Sequence, residues 1–317
     1  MRSVKLLLVV VAVAVIGMVG IVYLEPEIAA GFIIKADRYR SGLVRKEIDL
    51  PNGLHYVYLE GGKGQPLMLF HGFGANKDHF TKVARYLTPH YRLIVPDHIG
   101  FAESSHPQNA DYTPTGQAKR LRAFAHALGI DHLHLGGSSM GGQIALTYAA
   151  LYPADVKSLW LIDPAGIWSA PKSECQKVLE QTGRNLLMAR SPDEFRQVIE
   201  IAVYNVPVIP DTIINVLAQE RITNYALEER IFKTILEDSV ENRVAGMSVP
   251  SLIVWGDKDR VLSVEAAEIL HKRMPRSEVI IMPDIGHLPM MEKPRKSAED
   301  YLMFRAALEY NADNRVE

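Results

Sequence analysis

A single cysteine, Cys175, occurs in 317 residues. That rules out an internal disulfide, a thiolate metal cluster and an acylated cysteine near the start, and leaves Cys175 a structural role. Excess charge of either sign is also missing. Lys and Arg number 35 against 37 Asp and Glu, a formal net charge of −2, so the chain has no electrostatic footing for nucleic acid. With 48% hydrophobic residues it is not globally disordered. No fixed-period repeat, low-complexity segment, metal-ligand spacing or nucleotide-binding motif is present, which predicts a domain without a cofactor. The length is large for one core but ordinary for an α/β domain carrying an inserted subdomain.

One stretch has no charge at all. Leu6 to Leu24 is a run of Leu, Val, Ile and Ala, about 19 residues against the roughly 20 that span hydrocarbon. It reads as a single-pass transmembrane anchor. The alternative is a cleaved signal peptide, whose apolar core is usually shorter and ends at a small-x-small site; only Ile28-Ala29-Ala30 comes near one. Arg2 and Lys5 precede the run while Lys35, Arg38, Arg40, Arg45 and Lys46 follow it, so the positive-inside rule does not choose the side. The basic group suits anionic headgroups or a solvated linker. Residues 1–43 are accordingly assigned to an anchor and basic linker.

The globular part begins near Val44. Alternating runs in Val44–Leu50 and Leu54–Glu60, separated by Pro51-Asn52-Gly53, predict an antiparallel hairpin. Short apolar runs then recur at Pro66–Phe70, Arg92–Pro96, His132–Leu135, Val156–Ile162, Ser251–Trp255 and Glu278–Met282. Helical patterns lie between most of them, the order expected of a doubly wound, mostly parallel sheet. Between Gly166 and Arg243 the alternation stops and only helical patterns remain. Ser191-Pro192-Asp193-Glu194 predicts a capping box with proline at the first helical position, and Asp211 is placed to cap the next helix. Residues 44–165 and 244–317 are therefore read as two parts of one core, and 166–243 as a helical cap over the strands' carboxyl ends, where open α/β sheets bind ligands.

The chemistry centres on Gly137-Ser138-Ser139-Met140-Gly141, a G-x-S-x-G turn between a strand and a helix. Glycines two residues either side give room for a serine held in a strained turn, and the following helix points free N–H groups and its positive end at Ser139. A serine hydroxyl needs a base, and the base needs a group that fixes its tautomer. His287 follows the last strand in a Gly-containing loop and is the predicted base. Asp259, in Trp255-Gly256-Asp257-Lys258-Asp259, is the better-placed acid if a turn begins at Gly256. Asp163, after the Val156–Ile162 strand, competes with it. The oxyanion donors are expected to be the backbone N–H groups of Met140 and of Phe73 in His71-Gly72-Phe73-Gly74. His71 and Asp97 are read as loop stabilisers, and His98 has no assigned chemistry.

Together, HGFGANKDHF from His71, PDHIGFAESS from Pro96, the long run from Gly136 to Gly166, VWGDKDRV from Val254 and IGHLPMMEKP from Ile285 resemble the α/β-hydrolase superfamily. Within it the chain is similar to bacterial family V lipases and membrane-bound monoacylglycerol lipases, over nearly all of Val44 to Tyr310. The resemblance implies a Ser139, Asp259 and His287 triad and hydrolysis of carboxylic esters of lipids. One departure is Ala102, where relatives usually carry glycine. Alternatives in play are a carbon–carbon bond hydrolase using the same triad and a non-catalytic binding protein on the same fold.

Overall fold

The computed structural model describes residues 20–314, apart from the side chains of Ala312 and Asp313. Eight strands, β1 Leu43–Asp49, β2 His55–Gly61, β3 Gln65–Phe70, β4 Tyr91–Pro96, β5 Leu133–Ser138, β6 Val156–Ile162, β7 Ser251–Gly256 and β8 Ser277–Met282, form one sheet. Its order is β1-β2-β4-β3-β5-β6-β7-β8. The predicted hairpin pairs β1 with β2 antiparallel, from Leu43 opposite Gly61 to Asp49 opposite His55. From β4 through β8 all pairings are parallel.

The continuous apolar runs mark strands covered on both faces. In β3, Leu67 and Leu69 enter one core while Met68 and Phe70 enter the other; Trp160 and Leu161 of β6 divide the same way. The first core lies under α3 (Pro114–Ala127) and α4 (Met140–Leu151), the second under α2 (Thr81–Leu87) and α11 (Pro294–Asp313). Trp160 stacks on Tyr301 of α11 with ring centroids 4.7 Å apart.

Between β6 and β7 stand four helices and no strand: α5 Glu174–Thr182, α6 Pro192–Ala202, α7 Asp211–Thr223 and α8 Tyr225–Glu237. Two capping expectations change here. Ser191 Oγ does accept the Glu194 N–H, but the Glu194 carboxylate turns to the N–H of Arg190. The complete capping box is at Ser173 and Gln176 on α5. Asp211 is the first residue of α7 rather than its cap, because Pro210 precedes it, and its carboxylate pairs with Arg196.

The Leu6–Leu24 run lies, but for residues 20–24, outside the described residues. Among the described residues no helix is long and apolar enough to cross a membrane, so the expected transmembrane helix has no support from them. The segment read as a basic linker is a helix, α1 (Pro26–Arg40). Proline at its first position suits a helix start. The small side chains of Ala29 and Ala30 let it lie against Ile213 of α7, and Arg38 forms a two-pronged ion pair with Asp78, both bonds 2.6 Å. That consumes one of the cations expected to be solvated.

Candidate active site

Ser139 stands at the junction of β5 and α4 with φ +56° and ψ −120°, a conformation costly for any residue with a side chain. The neighbours explain why it persists. A Cβ on Gly137 would lie 2.2 Å from the Gly141 carbonyl oxygen, and one on Gly141 2.0 Å from that of Phe70. The serine backbone is also pinned: its N–H donates to the Ile162 carbonyl at 3.0 Å, and its carbonyl accepts from Gln143 and Ala165. The side chain is thereby held at the carboxyl edge of the sheet.

Asp259 and His287 sit on the same edge, after β7 and β8. The Asp259 N–H closes a turn onto the Gly256 carbonyl, as expected from the glycine. Its Oδ1 accepts the N–H groups of Val261 and Leu262, and its Oδ2 takes the Trp255 indole N–H and His287 Nδ1, the last at 2.7 Å. With Nδ1 so engaged, the ring proton belongs on that nitrogen and Nε2 is left as the basic atom. Nε2 is buried and has no partner, and no hydrogen bond joins it to Ser139 among the described residues. Asp257, the other aspartate of the turn, pairs instead with Lys258 at the surface.

Asp163 is fully buried beside this pair, with φ +43°. One oxygen accepts the Gly256 N–H at 2.9 Å and the other has no partner. Burial, and then the nearby Asp259 charge, push its carboxyl well above the usual range. Asp163 is therefore held toward its neutral form and braces the turn, whereas four donors on the Asp259 carboxylate fit that side chain to orient His287. Ligand-capable atoms of Asp163, Asp259 and His287 lie within 4.8 Å of one another. Within that group the Asp259 oxygens and His287 Nδ1 are already engaged with each other and with neighbouring donors.

The N–H groups of Phe73 and Met140 have no acceptor among the described residues, the state required of oxyanion donors. Behind them, His71 Nδ1 bonds the Gly72 carbonyl and its Nε2 accepts the His98 N–H; His98 Nε2 donates to the His71 carbonyl. Burial lowers the pKa of both rings, that of His98 to about 3, so both are neutral and structural. Asp97 takes the backbone and side-chain N–H groups of buried Lys77. Both loop-stabiliser readings are met by these contacts.

A narrow cavity of about 50 Å³ opens at Ser139, lined by Phe73, Trp168, Leu179, Leu187, Phe232 and Ile235 among others. Leu179, Asn185, Phe232 and Leu236 also line a larger chamber of about 470 Å³ in the cap, whose lining includes Arg184, Arg190, Lys233, Glu194 and Glu229. The two cavities adjoin through these shared residues, the one at Ser139 mostly apolar and the larger one mixed.

Two contributors were not legible in the sequence. Arg221 of α7, buried against Glu228 at 2.7 Å, donates to the carbonyls of Gly74 and Leu187 and lies over the Phe73 ring. It ties the cap to the loop of Phe73 and Gly74. Glu292 accepts the N–H of Gly286 and those of Tyr204 and Asn205, clamping the His287 loop to the end of α6. Neither spacing nor pattern links these residues across 147 and 88 positions.

A family profile described as alpha/beta hydrolase fold matches residues 65–196. Lipase 1 of Psychrobacter immobilis is 44% identical over 87% of this chain and 89% of that protein. The human monoacylglycerol lipase ABHD6 is 31% identical, covering 82% of each. Among solved structures, a membrane phospholipase A described as a bacterial virulence factor superposes with a TM-score of 0.86 at 36% identity, covering 98% of this chain and 99% of that one.

Proposed function

We infer, since this chain belongs to the α/β-hydrolase family, that it cleaves carboxylic esters of lipids through an acyl-enzyme on Ser139. The carrying observation is the strained Ser139 between two unengaged N–H groups, opening into an apolar throat under the cap. In the proposed cycle His287 Nε2 accepts the Ser139 proton as Oγ attacks the ester carbonyl. Asp259 stabilises the resulting imidazolium, and the Phe73 and Met140 N–H groups hold the oxyanion. His287 then protonates the departing alcohol, and a water deprotonated by His287 releases the acid. A serine–histidine bond that forms only with substrate bound is common to such sites.

The substrate proposed is a long-chain monoacylglycerol or related lipid ester. The apolar throat at Ser139 suits an acyl chain, and the charged residues of the adjoining chamber suit a head group. The lipase relatives support the same class. An uncleaved N-terminal anchor is proposed with it: Ala29 and Ala30, the nearest approach to a cleavage site, are buried in α1 against α7, so α1 belongs to the folded protein.

The test is a substrate panel on the full chain, because a truncation near Lys35 would cut through α1. Monoacylglycerol in vesicles, p-nitrophenyl butyrate and a dienoate ring-cleavage product are compared by kcat/KM. The proposal predicts highest efficiency on monoacylglycerol. Turnover of the ring-cleavage product alone would establish the carbon–carbon hydrolase reading, and efficient butyrate hydrolysis without any acylglycerol turnover would leave a general esterase.

A further inference from the structure

Exposed large apolar side chains concentrate in two segments that touch. One is the N-terminal helical stretch, with Ile21, Leu24, Ile28 and Phe32 outward; the other is the loop Val203–Pro210, where Val206 and Val208 are exposed and Val208 wholly so. The loop has no charged residue. Ile209 from the loop and Val22 from the helical stretch pack on the Ala29, Ala30 and Ile213 cluster, and Thr212 Oγ donates to the Val22 carbonyl at 2.9 Å. The two segments thus form one continuous face.

We propose that this face, with the Val206–Val208 loop as its tip, docks into the headgroup region of a lipid bilayer. The occupant follows from the chain that leads into it: residues 6–19 are uncharged and apolar and run directly into Ile21 and Leu24. The loop's backbone also fits lipid. Pro207 and Pro210 have no N–H to desolvate, and those of Tyr204 and Asn205 are already donated to Glu292, so entry strands few donors. On α1, Lys35 and Tyr39 follow Ile28 and Phe32 at helical spacing, side chains that bury a stem and keep a polar end in water. The same Glu292 holds the Gly286 N–H, and the His287 N–H donates to the Ala202 carbonyl at 2.7 Å. Docking therefore rests the root of the candidate base's loop on the membrane. The proposal takes its purpose from the lipid-ester reading.

Two experiments on the full chain in phosphatidylcholine vesicles test it. In Val208→Trp, brominated acyl chains quench the added indole beyond the wild type, whose Trp160 and Trp255 are fully buried and whose Trp168, lining the cavity at Ser139, sets the background; no added quenching overturns the docking. In Val206→Ser with Val208→Ser, turnover of vesicle-borne monoacylglycerol falls roughly tenfold, as loss of apolar burial at two valines requires, while p-nitrophenyl butyrate turnover stays unchanged. Equal vesicle turnover overturns the loop's role and leaves the lipid-ester reading standing. Failure of the wild type on monoacylglycerol in both vesicles and detergent micelles removes the lipid-ester reading, and the quenching result still decides the docking. A wild-type dimer that the double serine variant converts to monomer, without quenching, assigns the face to a second copy and overturns the proposal.

Discussion

Asp163 and Asp259 lie close together yet carry different burdens. Asp259 is bonded by four donors and orients His287; Asp163 keeps one oxygen without a donor and sits as the neutral acid. Asparagine is nearly isosteric with a protonated aspartate and can accept the same Gly256 N–H. Asp163→Asn should therefore change kcat by less than about tenfold and stability by less than about 1 kcal/mol. Asp259→Asn places the wrong tautomer on His287 and should lower kcat on the order of 10⁴-fold. Paired kinetics and denaturant melts check both, and the opposite ranking would make Asp163 the acid. Sequence order alone leaves the two in competition, since each follows a strand; hydrogen-bond donors decide, and those come from Trp255, Val261 and Leu262 only once the turn has closed. The glycine expected in place of Ala102 also acquires a reason at this scale. Its φ is +49°, where glycine is the residue without cost.

Among the elements, strands and caps on the core were the most legible, because two-sided burial writes itself as an apolar run and the glycines of a sharp turn have no substitute. The helix α1 was not. Its buried face consists of two alanines, too small to register as an apolar stripe, and its basic residues read as solvated until Arg38 meets Asp78. Arg221 was hidden for a different reason: its partners lie in separate elements joined only by the fold. Arg221→Met should leave Glu228 buried without its counter-charge and cost about 3–5 kcal/mol. It should also lower kcat on soluble ester by freeing the Gly74 carbonyl and the oxyanion loop. Chemical denaturation and steady-state kinetics measure the two effects. Wild-type stability in this variant would remove the cap-to-core clamp from the account.

For the whole molecule, the buried histidines set the acid limb of stability. Burial holds His79 at about 4 and His98 and His134 at about 3, and His71 well below its usual value. The unfolded chain binds these protons near pH 6.5 and the folded one does not, so stability is present above 6.5 and is lost as pH falls toward these values. Asp97, raised by burial to about 6, Asp163 and Glu228 act in the opposite direction, but five imidazoles, with His106 also lowered by burial, outweigh three carboxyls. The Tm should fall on the order of 10 °C between pH 6.5 and 4.5. A flat or rising Tm across that window in calorimetry would contradict neutral burial of these rings.

The account as a whole stands on Ser139 as the nucleophile. Reaction with a fluorophosphonate followed by intact-mass and peptide mapping tests this most directly. One adduct per chain is expected on Ser139, with Ser139→Ala giving neither adduct nor ester turnover while its thermal melt stays that of a folded protein. An adduct on another residue, or ester turnover surviving in Ser139→Ala, would contradict it.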